Sequence, residues 1–165
     1  MPILLARVDN RLVHGQILSA WLPMLRVSAL VVLDDEAARN TLVRSAMEIA
    51  IPPDVSFDVA PVAQSRDAVA RIPASENTMI LLRDVSDAVR AHDAGLQLPR
   101  LNLSNVHFSI GRILVTQSVY LSTDEIAQLE KLEASGVAVE LKTLPRDHPM
   151  MLPEMKKQVL AGAPR

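Results

Sequence analysis

Cysteine is absent from the 165 residues, which excludes disulfides, thiolate metal sites and cysteine nucleophiles. Aromatic residues are scarce: one Trp, one Tyr and two Phe, 2% in all. The core must therefore be aliphatic, and single-stranded nucleic-acid binding, which stacks bases on aromatic rings, is disfavoured. The five glycines are scattered, leaving no glycine-rich loop for ATP or a dinucleotide. No apolar run reaches the ~20 residues that cross a bilayer. The amino terminus lacks a basic segment followed by a long apolar one, so no secretory signal is expected. A net charge of -2 gives no basic footprint for nucleic acid. Any chemistry on anions must come from a local cluster.

What is present reads as one domain, residues 1–165, with 49% hydrophobic and 22% charged residues in globular proportion. Pro2 to Val8 is a nearly continuous apolar strand, as buried parallel strands are. Ile17, Leu18, Trp21 and Leu22 then form a helical stripe that Pro23 is expected to stop. Val27 to Leu33 is a second strand, ending in Asp34-Asp35-Glu36, acids suited to a helix start. Ala38, Leu42, Val43, Ala46, Met47, Ile49 and Ala50 recur at the spacing of a single helix, closed by Ile51-Pro52-Pro53. Val55–Val59 and Met79–Leu82 are further strands, and helices are expected from Pro61 to about Arg71 and from Val85 to near Gly95.

Leu101–Val106 is strand-like but interrupted by Asn102, Ser104 and Asn105. Ile113–Val115 and Val119–Leu121 suggest a hairpin. Ser122-Thr123-Asp124-Glu125 is a capping box for a helix that Gly136 closes. Val137–Leu141 is the last strand, and residues 146–165 form a tail with a short helix. Such alternation predicts an α/β fold with three layers: a mainly parallel central sheet, helices on both faces, and room for one antiparallel edge strand.

The stretch Arg7-Val8-Asp9-Asn10-Arg11-Leu12-Val13-His14-Gly15-Gln16 leaves the first strand and enters a helix, the usual ligand position in such sheets. His14 is the candidate nucleophile, because an imidazole with an ordinary pKa near 6.5 is available in neutral form. A phosphoryl group added there needs charge and donors. Arg11 and Arg7 can supply forked N–H groups, and the Gly15 and Gln16 amides face an anion at a helix N-terminus. Gly15 also keeps the approach clear. Asp9 can hold an arginine or fix the imidazole tautomer, with Asn10 beside it.

Elsewhere the signals are weaker. Asp34 and Asp35 invite a magnesium-binding receiver reading, but helix capping accounts for them. His107 follows a strand end near the candidate loop, Arg83 and Asp84 end another strand on the same edge, and His92 and His148 read as structural or solvated.

The Arg7–Gln16 stretch closely resembles the active-site signature of the mannose/fructose/sorbose-family IIB subunits of the bacterial phosphoenolpyruvate:sugar phosphotransferase system. That signature is an Arg-hydrophobic-Asp-Asp-Arg-Leu-hydrophobic-His-Gly-Gln run. The resemblance extends through Val31–Glu36, Met47–Val55, Leu101–Val106, Val115–Val119 and Glu130–Glu140, roughly residues 2 to 145. It implies a cytoplasmic phosphocarrier, peripheral to the membrane through its partners. His14 takes a phosphoryl group on Nδ1 from a IIA protein on a separate polypeptide. It passes the group to a sugar imported through membrane IIC and IID subunits, and no metal or organic cofactor is implied. Two positions depart from the family pattern: Asn10 stands for its second aspartate and Ser104 for a common glycine. A regulatory phospho-accepting protein and a small-molecule-binding flavodoxin-like module are the alternatives. Sequence leaves the sugar open and is compatible with a homodimer.

Overall fold

Six apolar runs lie side by side in parallel: β1 (Ile3–Asp9), β2 (Ala29–Leu33), β3 (Ser56–Ala60), β4 (Thr78–Leu82), β5 (Arg100–Asn105) and, later in the chain, Ala138–Leu141. Between β5 and the last of these, β6 (Ile113–Thr116) and β7 (Val119–Leu121) form a separate antiparallel pair. Ala138–Leu141 is thus β8, and β9 (Met150–Met151) adds to it as an antiparallel edge, giving the order β3-β2-β4-β1-β5-β8-β9. The computed structural model describes residues 3–164; Pro2, expected in the first strand, and Arg165, expected in the tail, lie outside the described residues. The α/β fold and the antiparallel edge match the expectation. No helix among the described residues is long and apolar enough to cross a membrane.

Strand alternation sends side chains to two buried layers. Ala6, Val8, Val31, Leu33, Ile80, Leu82, Leu101 and Leu103 share one cluster. It is covered by α4 (Ser65–Ala70), α5 (Val85–Asp93), α6 (Thr123–Ala134) and α7 (Leu152–Gly162). Leu5, Leu30, Val32, Met79 and Leu81 point the other way, under a π-helical turn (Ile17–Trp21) leading into α1 (Leu22–Leu25), and under α2 (Asp35–Arg39) and α3 (Thr41–Ala50). The helix after β1 therefore lies on one face, whereas those after its neighbours β4 and β5 lie on the other. The carboxyl end of β1 is thus a topological switch point, the place where ligands bind in open α/β sheets.

Several expectations need correction. Pro23 does not stop the first helix. The N–H of Leu22 bonds the C=O of Ile17 in a widened turn, and the helix runs on to Leu25, where Arg26 turns left-handed. A π bulge just before proline eases the step that has no N–H to give. The single helix expected over residues 38–50 is two, because Asn40 leaves the helical region and its side chain accepts from the N–H groups of Leu42 and Val43. Asn prefers that capping role to a helix interior. The short helix expected in the carboxyl-terminal tail forms as α7, with Leu152, Met155 and Val159 packed in the core, and β9 before it pairs with β8. The capping box at Ser122 forms as expected, with Ser122 and Glu125 exchanging bonds.

Candidate active site

Residues Leu5, Arg7 and Asp9 follow one another on the same face of β1, so the strand that begins in the core ends in charge. Neither Arg7 nor Asp9 exposes any side-chain surface. Arg7 pairs in register with Asn102 of β5, and its guanidinium bonds Asn102 Oδ1 at 2.5 Å, Ser104 Oγ, and the backbone carbonyls of Lys142 at 3.3 Å and Thr143 at 3.0 Å. It lies 4.5 Å from the centre of the Trp21 ring, a cation–π stack out of water. Trp21 is itself pinned by an indole N–H bond to the Thr143 carbonyl at 3.0 Å. Burial draws the Arg7 guanidinium down to about 10, against the pull of Asp9.

Arg7 is expected among the phosphate-binding residues, in support of Arg11. The fold instead places it beneath the site, 3.6 Å from Asp9 Oδ2. The strand-breaking polar residues of β5 were the missed signal. Asn102 and Ser104 alternate with Leu101 and Leu103, so one face of β5 is apolar and the other receives an arginine.

Asp9 gathers the loop. The Arg11 backbone N–H and Nε–H donate to its Oδ1 at 3.1 and 3.0 Å, and Arg11 Nη2 donates to Oδ2 at 3.0 Å. His14 Nε2–H donates to the same Oδ2 at 2.8 Å. Burial opposes the Asp9 charge, but the hydrogen bonds from His14 and Arg11 outweigh it and hold the carboxyl at about 2. With the proton of His14 on Nε2, its Nδ1 carries the lone pair, which accepts the Gln16 backbone N–H at 3.3 Å. The His14 carbonyl accepts from Leu18 N–H, so the histidine sits at the helix start with Gly15 and Gln16 just inside. Gln16 Oε1 accepts from Arg11 Nη2 at 3.2 Å.

Backbone geometry between these residues is strained at one point. Leu12 has a φ of 56° while its side chain is buried among Leu5, Ile17 and Trp21. That conformation is uncommon for a residue with a branched side chain and costs on the order of 1 kcal/mol. Gly15 is the opposite case: its φ is not left-handed and a Cβ there would meet nothing within 4 Å. Neither turn nor packing requires a glycine at that position.

The remaining candidates sort by their partners. Asn10 Oδ1 accepts from Asn105 Nδ2, and Asn10 Nδ2 meets His107 Nδ1. His107 is thus brought to the same edge. Arg83 forks onto Asp34 at 2.9 Å through both Nε and Nη2. Asp34 also caps Ala37 N–H at 2.9 Å, and these bonds outweigh burial and lower its pKa. Asp84, just before α5, makes no capping bond and instead accepts from Arg112 at 3.0 Å. His92 bonds Ser135 Oγ at 3.1 Å, on another part of the surface.

A histidine at a helix start, locked by the aspartate that ends β1, with an arginine fork and helix amides beside it, can accept and hold an anionic group. The sequence matches the family described as PTS system sorbose subfamily IIB component over residues 3–161. The fructose-specific EIIB component of Bacillus subtilis (strain 168) is 30% identical over 149 residues, covering 89% of this chain and 91% of that one. The mannose-specific EIIAB component of Escherichia coli (strain K12) is 29% identical over 161 residues, covering 96% of this chain but 50% of that protein. This chain thus spans about half the length of that relative. In the crystal structure of manxB from Thermoanaerobacter tengcongensis the same fold recurs at 28% identity and a TM-score of 0.85, covering 94% of this chain and 95% of that one. The chain belongs to the sorbose-type IIB family of the sugar phosphotransferase system, a family of phosphotransferase components.

Proposed function

We propose that the protein is a cytoplasmic phosphocarrier in sugar uptake, with His14 as its phosphoryl-accepting nucleophile. The observation that carries the reading is the Asp9–His14 bond at 2.8 Å. It keeps the proton on Nε2 and leaves Nδ1 with the electron pair. That pair attacks the phosphorus of a phosphohistidine on a IIA partner; a new P–N bond forms and the donor imidazole leaves with the electrons of the old one. In the second step a hydroxyl of the sugar, entering through membrane IIC and IID subunits, attacks the phosphorus. The His14 P–N electrons return to Nδ1 and the hydroxyl proton goes to solvent.

The charge that arrives with the phosphoryl group is met by Arg11, whose side chain is 41% exposed and able to turn its fork outward. The Gly15 and Gln16 amides sit at the helix N-terminus, which favours negative charge. Arg7 acts from below, by keeping Asp9 ionised and in place. Catalysis on this reading is positioning and charge stabilisation. That the mannose-specific relative is named EIIAB and is twice as long supports a IIA-type donor.

The test is incubation with phosphoenolpyruvate, the general relay proteins and a IIA protein, then intact mass and peptide mapping. The expected result is a single acid-labile phosphoryl group on His14, lost in His14→Ala although that variant stays folded. A label that persists in that variant contradicts the proposal. Adding membranes that contain the IIC and IID subunits should then empty the label onto a sugar.

A further inference from the structure

Just past the end of β1, Asn10 ties the loop to the end of β5. The strands lose register there: Val8 pairs with Leu103 but Asp9 with Asn105, so Ser104 is skipped. Asn10 bridges the gap three ways. Its backbone N–H donates to the Asn105 carbonyl at 2.9 Å, its Oδ1 accepts from Asn105 Nδ2, and its Nδ2 meets His107 Nδ1. With the oxygen committed to Asn105, the amide has only N–H to offer His107. The His107 Nδ1 must then be an unprotonated acceptor, and the neutral ring carries its proton on Nε2. An aspartate at position 10 would have no N–H, and would draw a proton to Nδ1.

We propose that His107 is a positioning residue for the phosphoryl-transfer site: through Asn10 it holds Asp9 and Arg11, and through Asp9 the pose of the His14 ring. The proposal rests on the reading of His14 as the nucleophile, but its own part is measurable with no phosphoryl donor present. Asn10 lies directly between Asp9 and Arg11 in the chain. The loop beyond is anchored only two residues later, where Leu12 enters the core at its strained φ. Removing His107 takes away one of the three Asn10 tethers and leaves the two to Asn105, so the amide next to Asp9 loses its fixed orientation. On the far side, His107 is a firm post: its carbonyl accepts from Arg112 Nη1 at 2.9 Å, and Arg112 is fixed by Asp84 at 3.0 Å and Glu125 at 2.7 Å.

The experiment is imidazole nitrogen and proton NMR on the full chain, comparing wild type, His107→Ala, His107→Asn and Asn10→Asp. In wild type, neutral His107 should carry its proton on Nε2; in Asn10→Asp the proton should move to Nδ1. The His14 Nε2 proton, bonded to Asp9, should exchange with solvent about tenfold faster in His107→Ala. His107→Asn, whose Oδ1 can take the place of Nδ1, should restore slow exchange. With phosphoramidate as a small donor, kcat at His14 should fall about tenfold in His107→Ala with KM unchanged, as a small misplacement predicts.

A proton on Nδ1 of wild-type His107, unchanged His14 exchange in His107→Ala, or an Asn variant no better than Ala would each overturn the proposal. So would a change in KM alone, which would make His107 a docking contact. If His107→Ala lowers the melting temperature enough to unfold, the tautomer and the Asn variant still decide. A wild-type protein that takes no phosphoryl group on His14 overturns the reading of the site, while the exchange measurements still report whether His107 holds that ring.

Discussion

The Asp9 carboxylate serves three cations or donors at once: a buried arginine below, an exposed one above, and the imidazole between them. Replacing it with Asn should lower the rate of His14 phosphorylation at least about a hundredfold, because an amide can present the wrong edge to Nε2 and free the ring to change tautomer. A single-turnover assay with phosphorylated IIA reads this directly. Arg7 contributes to stability as well as to the site. Arg7→Met leaves the Asn102 and Ser104 acceptors and part of the Asp9 charge unanswered in the interior, and should cost about 3 kcal/mol in urea denaturation. Gly15 separates the two roles. Since a Cβ there meets no neighbour, Gly15→Ala should keep or slightly raise the melting temperature. It should nonetheless slow transfer if the open space admits the donor.

Elements were legible in the sequence where one local signal sufficed. The capping box at Ser122, the left-handed Gly95 and Gly136, and the hairpin of β6 and β7 all stand where turn chemistry put them. Ser122→Ala should destabilise the protein by about 1 kcal/mol, seen as a lower melting temperature with transfer unaffected. Periodicity misled where a polar cap interrupted it. The stripe from Ala38 to Ala50 has the right spacing for one buried helix, but Asn40 divides it, and Leu42 and Ile49 end up 78% and 86% exposed. Hydrophobic spacing reports which residues share a face, and cannot say whether anything covers that face. The loop residues Asp9, Arg11, His14 and Gln16 were legible together because they are close in sequence. The support from Asn102, Ser104, Thr143 and Trp21 was not, since it depends on which strand lies beside β1 and on which side α1 returns.

At the scale of the whole molecule, the sheet order places the charged end of β1 where its own helix lies on one face and the helices of both neighbours lie on the other, the switch point at which ligands bind in open α/β sheets. Stability should carry the same mark. Asp9 is held at about 2 when folded, below the ordinary value of ~3.9 that the unfolded chain has. Its contribution is therefore complete above about pH 4 and is lost as pH falls toward 2. Thermal melts over that window should fall more steeply for wild type than for Asp9→Asn; equal slopes would mean that the carboxylate is not held by its partners.

Reaction at Nδ1 of His14 requires the ring proton to be fixed on Nε2 by Asp9. Phosphorus–nitrogen coupling in the phosphorylated, nitrogen-labelled protein tests this most directly. The prediction is phosphorus bonded to Nδ1 of His14 with the proton retained on Nε2. Phosphorus on Nε2, or on any other residue, would contradict it.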